Sequence, residues 1–243
     1  MKSPFSSLTI TAIAILSILL ISVPTYAQQR PVTFEKKQSD SDQLNYLLSL
    51  PEGYDKDQEK KWPLVVFLHG AGERGSDIEK VKIHGPPMLV EKGRKFPFIL
   101  ISPQCPKDSW WSYEPLIELI EDAETRYQVD SKRIILTGLS MGGYGTWELS
   151  TRYPKKFAAI IPICGGGIPY MTHKIKDTPA WVFHGAKDSG VPIHESQRMV
   201  DALKKNGSTK VKFTIYPDAG HNSWTETYNN EAVYKWMLEQ QLP

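Results

Sequence analysis

The chain has 243 residues, 40% hydrophobic and 23% charged, with a formal net charge of +2. That length and composition suit one globular domain with a substantial core rather than two. The near-neutral balance, without a long basic run, argues against nucleic acid or an anionic membrane surface as a partner, and the chain carries no internal repeat or low-complexity tract.

In chain order, the first element is not expected to belong to the folded domain. Lys2 gives a short basic start and residues 8–23 are almost wholly apolar. Thr25 and Ala27 then place small residues three before and one before a cut after Ala27. This is the pattern of a secretory signal peptide. A membrane anchor is the competing reading, but the apolar stretch is short for a bilayer span. Residues 1–27 are therefore expected to be removed, leaving 28–243 as the catalytic domain of a secreted or periplasmic protein. Alanine rather than cysteine at the cut argues against a lipoprotein anchor.

Apolar runs then alternate with amphipathic stretches. Two early antiparallel strands are expected around Phe34 and over 44–50. Further strands are expected over 64–68, 98–101, 133–137, 158–163, 180–183 and 211–216, and most of these runs are continuously hydrophobic. Such runs mark strands covered on both faces. Helices are predicted over 114–127, 141–153, 192–205 and 226–240, the third stopping at Asn206-Gly207. Alternation of this kind gives an α/β fold, a mostly parallel doubly wound sheet flanked by helices. Chemistry in such sheets gathers at the carboxyl ends of the strands, where the Gly-rich and His-bearing segments fall. Cys105 and Cys164 follow strands expected not to be neighbours, so two small buried thiols are favoured over a disulfide. No Cys/His cluster has metal-ligand spacing, so no metal or other cofactor is expected.

The run 133–145 carries the strongest signal. A β-branched segment ends in Gly138-Leu139-Ser140-Met141-Gly142, followed by a helix-compatible stretch. Strand, sharp turn and helix with serine at the apex make a nucleophile elbow, and its flanking positions require small residues. A serine hydroxyl needs a base, and the base needs an acid to orient it. His221, after the last strand, is the expected base; His69 and His184 are expected to brace loops. Asp188, after the penultimate strand, is the expected acid. Asp218 is its rival, and Asp177 should lie at the wrong end of the sheet. Backbone N–H groups must meet the oxyanion. Met141 is one expected donor and Ala71 in the loop 69–75 is the other, with Gly72 as the alternative. Trp110, Trp111 and Trp224 fall on loops after strand ends and are candidates for a substrate-stacking platform, against the plainer reading of core packing. Glu73 and Arg74 either pair to stiffen their loop or meet the substrate.

With these motifs, and with Pro51-Glu52-Gly53-Tyr54, Ser102-Pro103-Gln104-Cys105 and Pro162-Ile163-Cys164-Gly165-Gly166-Gly167, nearly the whole chain after the leader resembles the secreted α/β-hydrolase esterases. That group spans feruloyl and acetylxylan esterases, polyhydroxybutyrate-depolymerase-like esterases and predicted peptidases. The resemblance implies the α/β-hydrolase fold and carries the family's nucleophile, acid and base onto Ser140, Asp188 and His221. It does not specify the substrate. The expected activity is serine ester hydrolysis through an acyl-enzyme, on feruloyl or acetyl esters of plant polysaccharide or on related small esters. The alternatives are a serine peptidase of the same fold and a non-catalytic binding protein. Residues 81–95 read as a small insertion near the pocket.

Overall fold

The computed structural model of the protein describes residues 29–35 and 44–243, so the expected leader lies outside the described residues. The strands are β1 (Arg30–Phe34), β2 (Leu44–Ser49), β3 (Trp62–Leu68), β4 (Ile99–Pro103), β5 (Val129–Leu139), β6 (Ala159–Ile163), β7 (Ala180–Gly185) and β8 (Val211–Tyr216). They form one eight-stranded sheet in the order β1-β2-β4-β3-β5-β6-β7-β8. β2 pairs antiparallel with β1 and β4, and every other pairing is parallel.

The sequence of β3 shows why the sheet is buried. All seven residues are inaccessible. Leu64, Val66 and Leu68 point to one face, where they meet helices α2 (Tyr113–Arg126), α3 (Met141–Arg152) and α4 (His194–Lys205). Val65 and Phe67 point to the other, under α1 (Gly85–Glu91), α5 (Trp224–Asn229) and α6 (Glu231–Leu238). A two-residue side-chain period thus feeds two cores, and each fully buried aliphatic contributes about 1.5–3 kcal/mol. The edge strand β8 buries only Tyr216.

Three elements differ from the sequence expectation. β5 begins at Val129, four residues early, because Val129 pairs with Trp62 before a register shift. The polar residues Asp130, Ser131 and Lys132 hide that extension. The insertion at 81–95 contains α1, opened by Pro86 and Pro87 in its first turn, a position that proline's fixed φ suits. The expected helix over 226–240 is two helices broken at Asn230, whose side chain caps α6 by accepting from Ala232 N at 2.9 Å. Asn230→Ala is expected to cost about 1 kcal/mol, read as a lower urea midpoint with an unchanged slope; an unmoved midpoint would mean that packing alone sets the break. Cys105 and Cys164 are free and buried, just beyond β4 and β6, which β3 and β5 separate. Among the described residues no helix is long and apolar enough to cross a membrane.

Candidate active site

The sheet's carboxyl ends gather the site. Ser140 stands between β5 and α3 at φ 53°, ψ −116°, a backbone region that L-residues occupy only when the surroundings enforce it. The enforcement is local. Ser140 N donates to Ile163 O at 3.0 Å at the end of β6, and Tyr144 N returns to Ser140 O at 3.0 Å. Gly138 and Gly142 allow the turn to close: a Cβ on either would run into backbone of the other strand end or of the turn itself.

His221 follows β8 and lies between the other two groups. Its Nε2 is 2.9 Å from Ser140 Oγ, and its Nδ1 is 2.8 Å from Asp188 Oδ2. Asp188 follows β7, and its carboxylate is fully buried while the imidazole is one-third exposed. The second carboxylate oxygen accepts from Gly190 N at 2.9 Å and Val191 N at 2.8 Å. These bonds fix the carboxylate plane. The rival Asp218 is instead a surface group, 2.7 Å from Lys187 Nζ and 90% exposed, and Asp177 pairs at the surface with Lys176. The loops bearing Asp188 and His221 are laced together by Lys187 N to Ala219 O and Ala186 N to Tyr216 O, each 2.9 Å.

The loop after β3 runs beside the serine; a Cβ on Gly70 would lie 3.7 Å from Ser140 Cβ. Ala71 opens a short 3-10 turn there. Met141 is the first residue of α3, where an N–H has no partner within the helix. The loop is braced by three side chains. His69 Nδ1 donates to Gly70 O at 2.6 Å and its Nε2 accepts from Cys105 N at 2.9 Å. Burial pushes the His69 ring down to about 4, so it stays neutral. Gln104 Nε2 donates to Glu73 O and Asp77 O at 2.9 and 2.7 Å. Arg74 donates to Ala71 O and Ser109 O at 2.9 and 3.0 Å. Of the two readings left open for Glu73 and Arg74, the pair does not form: Arg74 holds carbonyls, while Glu73 turns inward, 3.8 Å from ring nitrogens of both His69 and His84.

The tryptophans do not form one platform. Trp110 is half exposed and sits edge-on to Tyr144, with centroids 6.1 Å apart. Trp224 packs against His221 and His84, each at 5.3 Å. Trp111 is 3% exposed, lies tilted against the His69 ring at 4.7 Å and donates to His69 O at 3.3 Å, the core-packing reading weighed for it. Its indole is held beneath the loop because the N–H needs a buried acceptor. Trp110 and Trp111 both line a cavity of about 330 Å³ with Gln104, Ser109 and Ser112.

Cys164, Asp188 and His221 bring three ligand-type atoms within 4.8 Å of one another. Burial pushes the Cys164 thiol up to about 12. Sequence reasoning missed its backbone, which at φ 41° is also left-handed. It missed too the inward turn of Glu73 and the contact between His184 and Asp188, although the i, i+4 spacing of the latter pair was visible.

An eight-stranded, mostly parallel sheet with a left-handed serine between strand and helix defines an α/β-hydrolase. Residues 108–233 match the family described as phospholipase/carboxylesterase, and the chain belongs to that family. A solved structure described as a thermostable esterase is 36% identical with TM-score 0.77, covering 88% of this chain and 63% of its own. The bifunctional acetylxylan esterase/xylanase XynS20E of Neocallimastix patriciarum is 23% identical over 72% of this chain, which spans only 26% of that protein's length. The probable feruloyl esterase C of Aspergillus terreus is 24% identical over 75% of this chain and 68% of its own.

Proposed function

We propose that this chain is an exported serine carboxylic-ester hydrolase, with residues 1–27 as a leader cut after Ala27. The observation that carries the reading is the continuous line from Ser140 Oγ through His221 to Asp188, at 2.9 and 2.8 Å. Ser140 Oγ attacks the ester carbonyl carbon and gives its proton to His221 Nε2. Asp188 holds the Nδ1–H tautomer and stabilises the imidazolium. The N–H groups of Ala71 and Met141 meet the oxyanion. His221 then protonates the leaving alcohol, and water reverses the sequence on the acyl-enzyme.

Feruloyl or acetyl esters of plant polysaccharide, or related small carboxylic esters, are the proposed substrates. The esterase names of the similar proteins and the exposed Trp110 beside Tyr144 support this choice. The test is a panel of p-nitrophenyl acetate, methyl ferulate, acetylated xylan and aminoacyl anilides. Turnover of the esters is expected; anilide cleavage outrunning every ester would favour a peptidase, and no turnover a binding protein. Trp110→Ala and Trp224→Ala are expected to raise KM for feruloyl and xylan esters several-fold, about 1 kcal/mol each, and to change p-nitrophenyl acetate little. Equal effects on all substrates would remove both residues from recognition.

A further inference from the structure

His184, near the end of β7, is fully buried, and the catalytic line proposed above does not use it. Its Nδ1 is 2.7 Å from Ser196 Oγ, whose single hydrogen also faces Gly165 O at 2.7 Å. Its Nε2 is 2.9 Å from Val191 O and 3.2 Å from Asp188 Oδ2. Neither a carbonyl nor a carboxylate has a hydrogen to offer, so Nε2 must carry one. Asp188 Oδ2 is also the atom that receives His221 Nδ1–H. One carboxylate oxygen therefore faces two imidazole N–H groups.

We propose that His184 is a positioning residue of the acid: its Nε2–H, donated to Val191 O at 2.9 Å, also lies 3.2 Å from Asp188 Oδ2 and limits how strongly that carboxylate supports a charged His221. The inference rests on the reading of Ser140, His221 and Asp188 as the catalytic line. A donor on a carboxylate oxygen draws charge from it and weakens its pull on a second proton. Three other titratable groups face Asp188: His221 from the loop after β8, Cys164 from the end of β6 and Tyr144 from α3. Burial raises both Cys164 and Tyr144 above their ordinary ranges, so neither charges near neutral pH. Burial also holds the His184 ring below its ordinary range, against the opposing effects of Val191 O and Asp188. It thus acts as a neutral donor, and His221 is left to set the acid limb of the pH profile.

The sign follows directly. Catalysis needs neutral His221. Without the His184 N–H, Asp188 Oδ2 serves His221 alone, the imidazolium is stabilised and His221 titrates at higher pH. In His184→Asn the amide reaches only the Nδ1 position, so the acid limb of kcat/KM is expected to move up by about half to one pH unit, with KM within about two-fold. In His184→Gln the amide nitrogen takes the Nε2 position and should return the limb toward wild type. A limb unmoved in His184→Asn, or moved equally by both variants, overturns the inference while leaving an active wild type and the catalytic line intact. A wild type without ester turnover would instead sink the catalytic reading. If His184→Asn does not fold, ¹⁵N-histidine spectra of the wild type decide. A protected Nε2–H on His184 is expected, and a bare Nε2 overturns the inference.

Discussion

Ser140→Ala is expected to lower kcat/KM for a p-nitrophenyl ester by roughly 10⁴- to 10⁶-fold while leaving the fold unchanged. The size reflects how the three groups act. In the proposed mechanism His221 takes its proton from a hydroxyl 2.9 Å away, and Asp188 assists only through His221. Removing the oxygen idles both, so the loss approaches that of removing all three. The remaining rate would come from the N–H groups of Ala71 and Met141 acting on a bound ester attacked by water. Stability gives an independent reading. Alanine at φ 53° carries the same backbone strain as serine, so its unfolding midpoint should match wild type. Ser140→Gly, equally inactive, should be more stable by about 1 kcal/mol, because glycine relieves a left-handed position whose strain exceeds its entropic penalty. An alanine variant retaining a tenth of wild-type activity would move the nucleophile elsewhere.

How much of this was legible in sequence depends on where each signal resides. Strands such as β3 and β6 read directly, since short continuous apolar runs bounded by turn residues mark strands covered on both faces. Ser140, Asp188 and His221 read through their places after β5, β7 and β8, and the structure brings these three side chains together. Asp218, three residues from His221 in sequence, points to Lys187 at the surface, because a carboxylate must approach the imidazole from the neighbouring strand end. What failed to read was direction. Trp110 and Trp111 are adjacent in sequence, yet one is half exposed and the other 3% exposed; only the position of the His69 carbonyl distinguishes them. Glu73 reads as a loop charge, and its inward turn depends on Arg74 finding the Ala71 and Ser109 carbonyls. The α5–α6 break was concealed because Trp224 to Leu238 keeps helical spacing across Asn230, and a capping side chain outweighed propensity there.

The turn that presents Ser140 tolerates almost no added volume, which makes Gly142→Ala the most damaging small substitution expected. Gly142 is the second residue of α3 and fully covered. A Cβ there would overlap Leu68 O, lie 2.5 Å from Leu68 C and 2.8 Å from His69 O. These are backbone atoms at the end of β3, a strand held on both sides by β4 and β5, so they cannot rotate away as a side chain would. Relief would require α3 to lift from the sheet, carrying with it Met141, Ser140 and the fully buried Trp147. A loss of about 3 kcal/mol or more is expected, read as a collapse in soluble yield or a large fall in urea midpoint. Gly72→Ala is the matched control. It adds the same methyl group to the neighbouring loop, where no heavy atom lies within 4 Å, and should change stability by no more than about 0.5 kcal/mol. If the two variants unfold at the same urea concentration, the close approach of α3 to β3 does not hold the serine in its strained conformation.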